Sequence, residues 1–348
     1  MVGVIIQTAN RPEMLRQALQ SVAAQTGRES ISAVYVSENG GNRGSQKVCA
    51  DFTDLPIVYA FRDPQLSPVE HTAVMMNEAL VHEYTAILHD DDWWMPDHLS
   101  NALNALHAHP GAVAFCASWF AVSGESSNLK CDPDALFWVA AEFPKLQATW
   151  EITPFQVRFA ALLATPTEFS SMVIRTDVLR LSKKVFSLGN DFDVDRMLIV
   201  DLASHGSLAY RPYPDVCKRF HPGRDANNFS VIFQIDRMSE TTRWIMSNAG
   251  ADVPGLVSHF SRLKDICPDY LRGQLFNQFE MPWCLPALRA AFPSEEFPSV
   301  QETGFGDEYH LRKRRWSAGS VLRLVIPPVC YSLAFRLKKL LKSGQRAS

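Results

Sequence analysis

No uninterrupted apolar stretch of about 18 or more residues occurs in the chain, so the sequence predicts no ordinary transmembrane helix. A CxxC pair is also missing. The seven cysteines, at positions 49, 116, 131, 217, 267, 284 and 330, are odd in number and scattered. That argues against a disulfide framework and a zinc site, and it suits a reducing cytosol. The first residues lack the basic start and the long apolar segment of a signal peptide; Val2 to Ile6 reads as a buried strand instead. Internal repeats and long low-complexity runs are absent. The longest gap in the acidic residues is at the end of the sequence. Between Leu311 and Ser348 there are ten Lys and Arg and no Asp or Glu, which leaves 24 basic against 37 acidic residues in the rest. An acidic body is a poor nucleic-acid binder.

What is present is an ordinary globular balance, 47% hydrophobic and 20% charged, over 348 residues. Strand and helix signals alternate through the first hundred residues. Strands are predicted at Val2–Ile6, Ile31–Val36, Ile57–Phe61, Thr85–Leu88 and Ala112–Phe120. Helices are predicted from about Pro12 to Gln25, with Asn10 able to cap, and over Glu70–Val81 and Pro96–His107. Such alternation predicts right-handed crossovers and a mostly parallel sheet with helices on both faces. Residues 121–168, punctuated by Pro133, Pro144, Pro154 and Pro166, are less regular. A strand leading into a helix follows from Ser171 to Val178, then a helix over Val194–Ser204, and helical signals from Ser230 to Leu288.

Ligands of parallel sheets sit beyond the carboxyl ends of the strands. Three polar clusters fall at such ends: Thr8 to Arg11, Glu38-Asn39, and Asp90-Asp91-Asp92. Three adjacent carboxylates raise one another's pKa unless a partner compensates, and a hard divalent cation does so. The competing reading is acidic residues favouring a helix N-terminus ahead of Pro96. Trp93 and Trp94 either wall a sugar pocket or belong to the core.

In Val4-Ile5-Ile6-Gln7-Thr8-Ala9-Asn10-Arg11-Pro12, in Val36-Ser37-Glu38-Asn39-Gly40, in Met76-Asn77 and in Leu88-His89-Asp90-Asp91-Asp92 with Pro96, the chain resembles a family 2 glycosyltransferase with the GT-A fold. The resemblance covers residues 2 to 120. It implies an inverting transfer from a nucleoside-diphosphate sugar, UDP-sugar favoured, with Mn2+ or Mg2+. It places Thr8, Asn10, Arg11, Glu38, Asp90, Asp91, Asp92 and Trp93 at the nucleotide sugar. Asp91, Asp92 and His221 would hold the metal. The family often has Leu-Asp-x-Asp-Asp where His89 replaces the first Asp here.

A weaker likeness covers Asn190-Asp191-Phe192-Asp193-Val194-Asp195 and the helix ending at Gly206. It places Asp195 at the catalytic base, with Asp193 and Asp191 as rivals and Val194 where the usual Glu stands. Arg219 or Arg224 would meet the leaving diphosphate. The implied division is a transferase domain at 1–228, with a nucleotide-sugar half at 1–120 and an acceptor half at 121–228. A helical extension at 229–310 and a basic amphipathic tail at 311–348 follow.

Leu333, Leu337, Leu340 and Leu341 recur at helical spacing among Arg336, Lys338, Lys339 and Lys342, a pattern suited to a membrane surface or to a solvated helix packed on the acidic body. The implied acceptor is a glycan or lipid-linked, in cell-surface polysaccharide synthesis. The implied location is cytoplasmic, peripheral on the inner face of the membrane, with no nucleic-acid partner. Two alternatives stay open. One is a sugar nucleotidyltransferase, against which Gln7-Thr8-Ala9-Asn10 is no glycine-rich phosphate loop. The other is an inactive transferase-like scaffold, favoured by His89 and Val194.

Overall fold

Period-two alternation in the first strand sets the layers. In β1 (Val2–Thr8), Val2, Val4 and Ile6 enter one apolar cluster with Leu15, Leu19, Leu99 and Leu106, whereas Ile5 enters a second with Met75, Met76, Leu198 and Leu202. Both faces of the strand are therefore covered, as its continuous apolar run predicts. The computed structural model describes residues 1–123, 130–131, 149–163, 167–221 and 231–248. The expected tail at 311–348 and most of the extension at 229–310 lie outside them, as does Arg224.

Ten strands form one mixed sheet. Its main path runs β3 (Ile57–Arg62), β2 (Ile31–Asn39), β1, β4 (Tyr84–His89), β9 (Val173–Arg175), β6 (Ala112–Ser123), β10 (Ser207–Phe220) and β5 (Trp93–Trp94). The short β7 (Lys130–Cys131) and β8 (Trp150–Ile152) pair with β6 and β10. β1, β2, β3 and β4 are mutually parallel, and so are β6 and β10. β9 lies antiparallel between β4 and β6, joining the two parallel halves. The expected parallel sheet is thus correct within each half, and antiparallel strands interrupt it. The fourteen-residue β10 and the helix α2 (Gly44–Ala50) were not anticipated.

Helix α1 (Pro12–Ala23) begins with Pro12 in its first turn, as predicted. Asn10 does not cap it: Arg11 holds the cap position, no side chain caps the helix, and Asn10 has φ of 55°. Helix α3 (Pro68–Ala79) starts two residues before its predicted first turn, because Ser67 and Glu70 form a reciprocal capping box. After α4 (His98–Ala108) come α5 (Pro154–Leu163), α6 (Thr176–Ser182), α7 (Val194–Ala203) and α8 (Val231–Asn248). The fully buried Arg196 in α7 joins three of them, donating to Ala161 O of α5 at 3.3 Å and Met238 O of α8 at 2.6 Å. No helix among the described residues is long and apolar enough to cross a membrane.

Gly3 allows the close approach of a ring. A Cβ there would lie 2.3 Å from His82 Cδ2. That ring cannot swing aside freely, because Ser32 Oγ and Tyr35 OH hold its two nitrogens at 2.7 and 2.9 Å. Gly3→Ala is therefore expected to destabilise the fold by about 1–3 kcal/mol, the usual range for overpacking. Chemical denaturation checks this; an unchanged midpoint would show that the His82 pocket is soft.

Candidate active site

Parallel register delivers the first two polar clusters to one place. Thr8 is paired with Glu38 across β1 and β2, and Gln7 with His89 across β1 and β4. The chain leaves β4 through a turn closed by Asp92 N donating to His89 O at 3.2 Å. Such a bond between residues three apart brings the two ends of the turn together. Ser170 reinforces it: its hydroxyl accepts from His89 N at 3.1 Å and donates to Asp92 Oδ2 at 2.6 Å. Nothing in the sequence singled out Ser170, which lies on the far side of the irregular segment.

The three aspartates have different surroundings. Asp90 is buried; Arg11 Nη1 donates to its Oδ1 at 3.2 Å, and its Oδ2 has no partner among the described residues. Asp91 is partly buried, with Arg11 Nη1 at 3.7 Å and His221 Nε2 at 3.1 Å from its Oδ2. Asp92 is buried and accepts at Oδ1 from Arg219 N at 2.9 Å. Burial first, and then the charge of Asp91, pushes Asp90 up to about 6. The same two causes, joined by Glu168, push Asp92 up to about 7. The structure therefore gathers negative charge in a place that disfavours it. Among the described residues, His89, Asp91 and Asp92 each offer a ligand atom, all within 4.8 Å of one another. One imidazole and two carboxylates form a donor set that fits a divalent ion.

Around this turn, Arg219 is 1% exposed and its guanidinium lies 5.1 Å over the Trp93 ring. It donates to Gln17 Oε1, while its Nε and Nη1 have no partner among the described residues. Trp93 is thus at the site, whereas Trp94 is buried in the core and donates through Nε1 to Ser170 O at 2.7 Å. Of the two readings open for Trp94, the core one holds: the alternation of a two-residue strand turns it inward.

On the nucleoside side, Glu38 is fully buried. Its Oε2 accepts from Tyr59 OH at 2.6 Å and from Ser45 N at 3.2 Å, the latter within the first turn of α2. Its Oε1 has no partner among the described residues. The loop beyond β2 carries Gly40 and Gly41 at φ of 74° and 90°. A Cβ on Gly41 would stand 2.0 Å from Asn10 Oδ1, so the loops after β1 and β2 interlock through these two residues.

The second acidic segment separates into three roles. Asp191 accepts from Val69 N at 2.9 Å, at the start of α3. Asp193 is buried against Arg196, with 2.5 Å between the charged atoms. Asp195, partly buried, accepts through Oδ1 from Arg196 N at 2.7 Å. Burial first, and then the charges of Asp193 and Glu168, push the Asp195 carboxyl up to about 6. Glu168 is paired with Lys218, which also lies 5.5 Å over the Trp119 ring. Asp92 and Asp195 both feel this Glu168–Lys218 pair, so the acidic turn and the second acidic segment share a neighbour.

Residues 3–163 match the family model of Glycosyl transferase family 2. That segment, a little under half of the chain, carries the likeness to family 2 glycosyltransferases. Among solved structures, the chain is similar to residues 1–349 of S. aureus TarS in complex with UDP-GlcNAc. The TM-score is 0.55 at 15% identity, covering 83% of this chain and 81% of that one. The same TarS segment in complex with UDP gives a TM-score of 0.53 at 14% identity, covering 78% and 74% of the two chains. Likeness at this identity establishes the GT-A fold and nothing finer. Against the longer S. aureus TarS structure the chain spans 38% of that protein's length. No curated protein matches the chain.

Proposed function

We propose that this protein moves a sugar from a nucleoside-diphosphate sugar to a glycan or lipid-linked acceptor with inversion, using Asp195 as general base. The observation that carries this reading is that the charges of Glu168 and Lys218 act on both Asp92 and Asp195. This supports a carboxylate for proton removal within electrostatic reach of a carboxylate for the donor's diphosphate end. Asp195 takes the acceptor hydroxyl proton as the oxygen attacks the anomeric carbon from the face opposite the diphosphate. Asp193 supports the start of α7 through its ion pair with the buried Arg196. Arg219, whose Nε and Nη1 have no partner among the described residues, stabilises charge on the leaving diphosphate.

Asp91 and Asp92, with His221 beside Asp91, would hold Mn2+ or Mg2+. Such an ion supplies positive charge to the departing diphosphate oxygens. Asp90 Oδ2, without a partner among the described residues, and the raised carboxyls support a cation there. A uridine donor is favoured because the lone acceptor Oε1 of Glu38 suits the ring N–H of uracil. The TarS structure that shares this fold holds UDP-GlcNAc. An acceptor at a membrane surface, as in surface-polysaccharide synthesis, rests on the basic amphipathic pattern at 311–348.

A thermal-shift screen of nucleoside diphosphates with and without Mn2+ tests the reading. A ligand at 100 times its Kd stabilises by about 2.7 kcal/mol. UDP with Mn2+ is therefore expected to raise Tm by several degrees, and GDP by less. A flat response to every nucleotide would remove the donor site and favour the inactive scaffold.

A further inference from the structure

The metal part of the proposed function leaves one residue unexplained. His89 stands where the sequence resemblance has an aspartate, yet it closes the only set of three His, Cys, Asp or Glu ligand atoms gathered among the described residues. Two ligands on opposite sides of an ion at about 2.1 Å are about 4.2 Å apart. A spread of 4.8 Å thus closes on an ion with shifts of a few tenths of an ångström. The local structure holds the imidazole in place. The turn bond from Asp92 N to His89 O joins the two ends of the segment. Ser170 Oγ binds both His89 N and Asp92 Oδ2. The Phe169 ring stands 5.7 Å from the imidazole, tilted by 56°. A separate sign that the pocket accepts a further cation is the adjoining Asp90, 3% exposed, whose Oδ2 is unpartnered among the described residues although Arg11 binds its Oδ1.

We infer that His89 is a metal ligand, giving a nitrogen–oxygen–oxygen site with Asp91 and Asp92 that prefers Mn2+ over Mg2+. Imidazole suits the later transition metals, whereas an all-carboxylate set suits Mg2+. A neutral imidazole also leaves the site one negative charge short of the aspartate form, which weakens the hold on a hard ion most. His221 is the rival nitrogen, since its Nε2 lies 3.1 Å from Asp91 Oδ2. This inference rests on the metal reading given above, and the experiment separates the two.

The test is pulsed electron paramagnetic resonance on the full-length chain loaded with Mn2+ and UDP, reading nitrogen-14 modulation. The wild type and His221→Ala are expected to show the coupling, and His89→Asp to lose it while still binding Mn2+. In the same samples, the Mg2+ concentration that displaces half of the Mn2+ is expected to fall about tenfold or more in His89→Asp. His89→Ala, checked by thermal melting for an intact fold, is expected to lose the coupling as well. Coupling that survives in His89→Asp, or vanishes only in His221→Ala, overturns the inference. Bound Mn2+ without any nitrogen coupling in the wild type overturns it too and leaves the proposed function standing. A wild-type chain that binds no Mn2+ with UDP removes both the inference and the metal part of the proposed function.

Discussion

Asp195→Asn is expected to lower kcat by about 10²- to 10⁴-fold, the usual contribution of a positioned base. KM for the acceptor is expected to hold, because the proton moves only in the transition state. The fold is expected to survive: asparagine keeps the Oδ1 acceptor that binds Arg196 N at 2.7 Å. Asp193→Asn should behave differently. Removing the partner of a buried charge costs about 3–5 kcal/mol, and Arg196 is fully buried at the junction of three helices. That variant should lose Tm before it loses chemistry. The pH profile gives the same assignment by another route. Burial, then Asp193 and Glu168, raise the Asp195 carboxyl to about 6. A base works when ionised, so kcat/KM should rise with pH through about 6 and level off above it. Asp195→Asn should erase that limb. Near-normal turnover in Asp195→Asn with an intact acidic limb would place the base elsewhere.

Asp91→Ala is expected to abolish most transfer for a different reason. Groups that merely orient metal ligands count for about 10–100-fold in metal affinity, so loss of a ligand should exceed about 100-fold. The apo fold should not suffer. Asp91 is partly exposed, and its charge raises both Asp90 and Asp92. Taking it away relieves repulsion between buried carboxylates, so the metal-free Tm should hold or rise. The increment that Mn2+ adds to Tm should vanish. Calorimetric titration with Mn2+ beside a transfer assay checks both halves. Full activity in Asp91→Ala would sink the metal assignment even if Mn2+ still bound.

Much of the first half was legible before folding. Period-two and helical spacing placed β1, β2, β3, β4 and β6 and the helices α1, α3 and α4, with bounds off by a few residues. The reason is local: buried strands and one-sided helices impose short-range patterns that residues cannot hide. The clustering of Thr8, Glu38 and Asp90 to Asp92 at neighbouring strand ends also followed, because parallel pairing makes it a matter of topology. Asn10 failed as a cap because the helix begins one residue later, with Arg11 at the cap position and Asn10 itself at φ of 55°.

The site divides along the same line. The sequence by itself determined the likeness to family 2 glycosyltransferases, the parallel strands β1 to β4 and the identity of the acidic residues, since each rests on motif and periodicity. Tertiary structure decided what those residues do to one another. It set β9 antiparallel between the halves, turned Trp94 into the core, and gave Asp193 to Arg196. It brought Ser170 to the acidic turn and Glu168 to both carboxylates. It also made His89, a mere departure from pattern in the sequence, one corner of a possible metal site. Contacts such as those of Ser170 with His89 and Asp92, far apart in sequence, depend on which surfaces pack together, and a linear spacing carries no record of that.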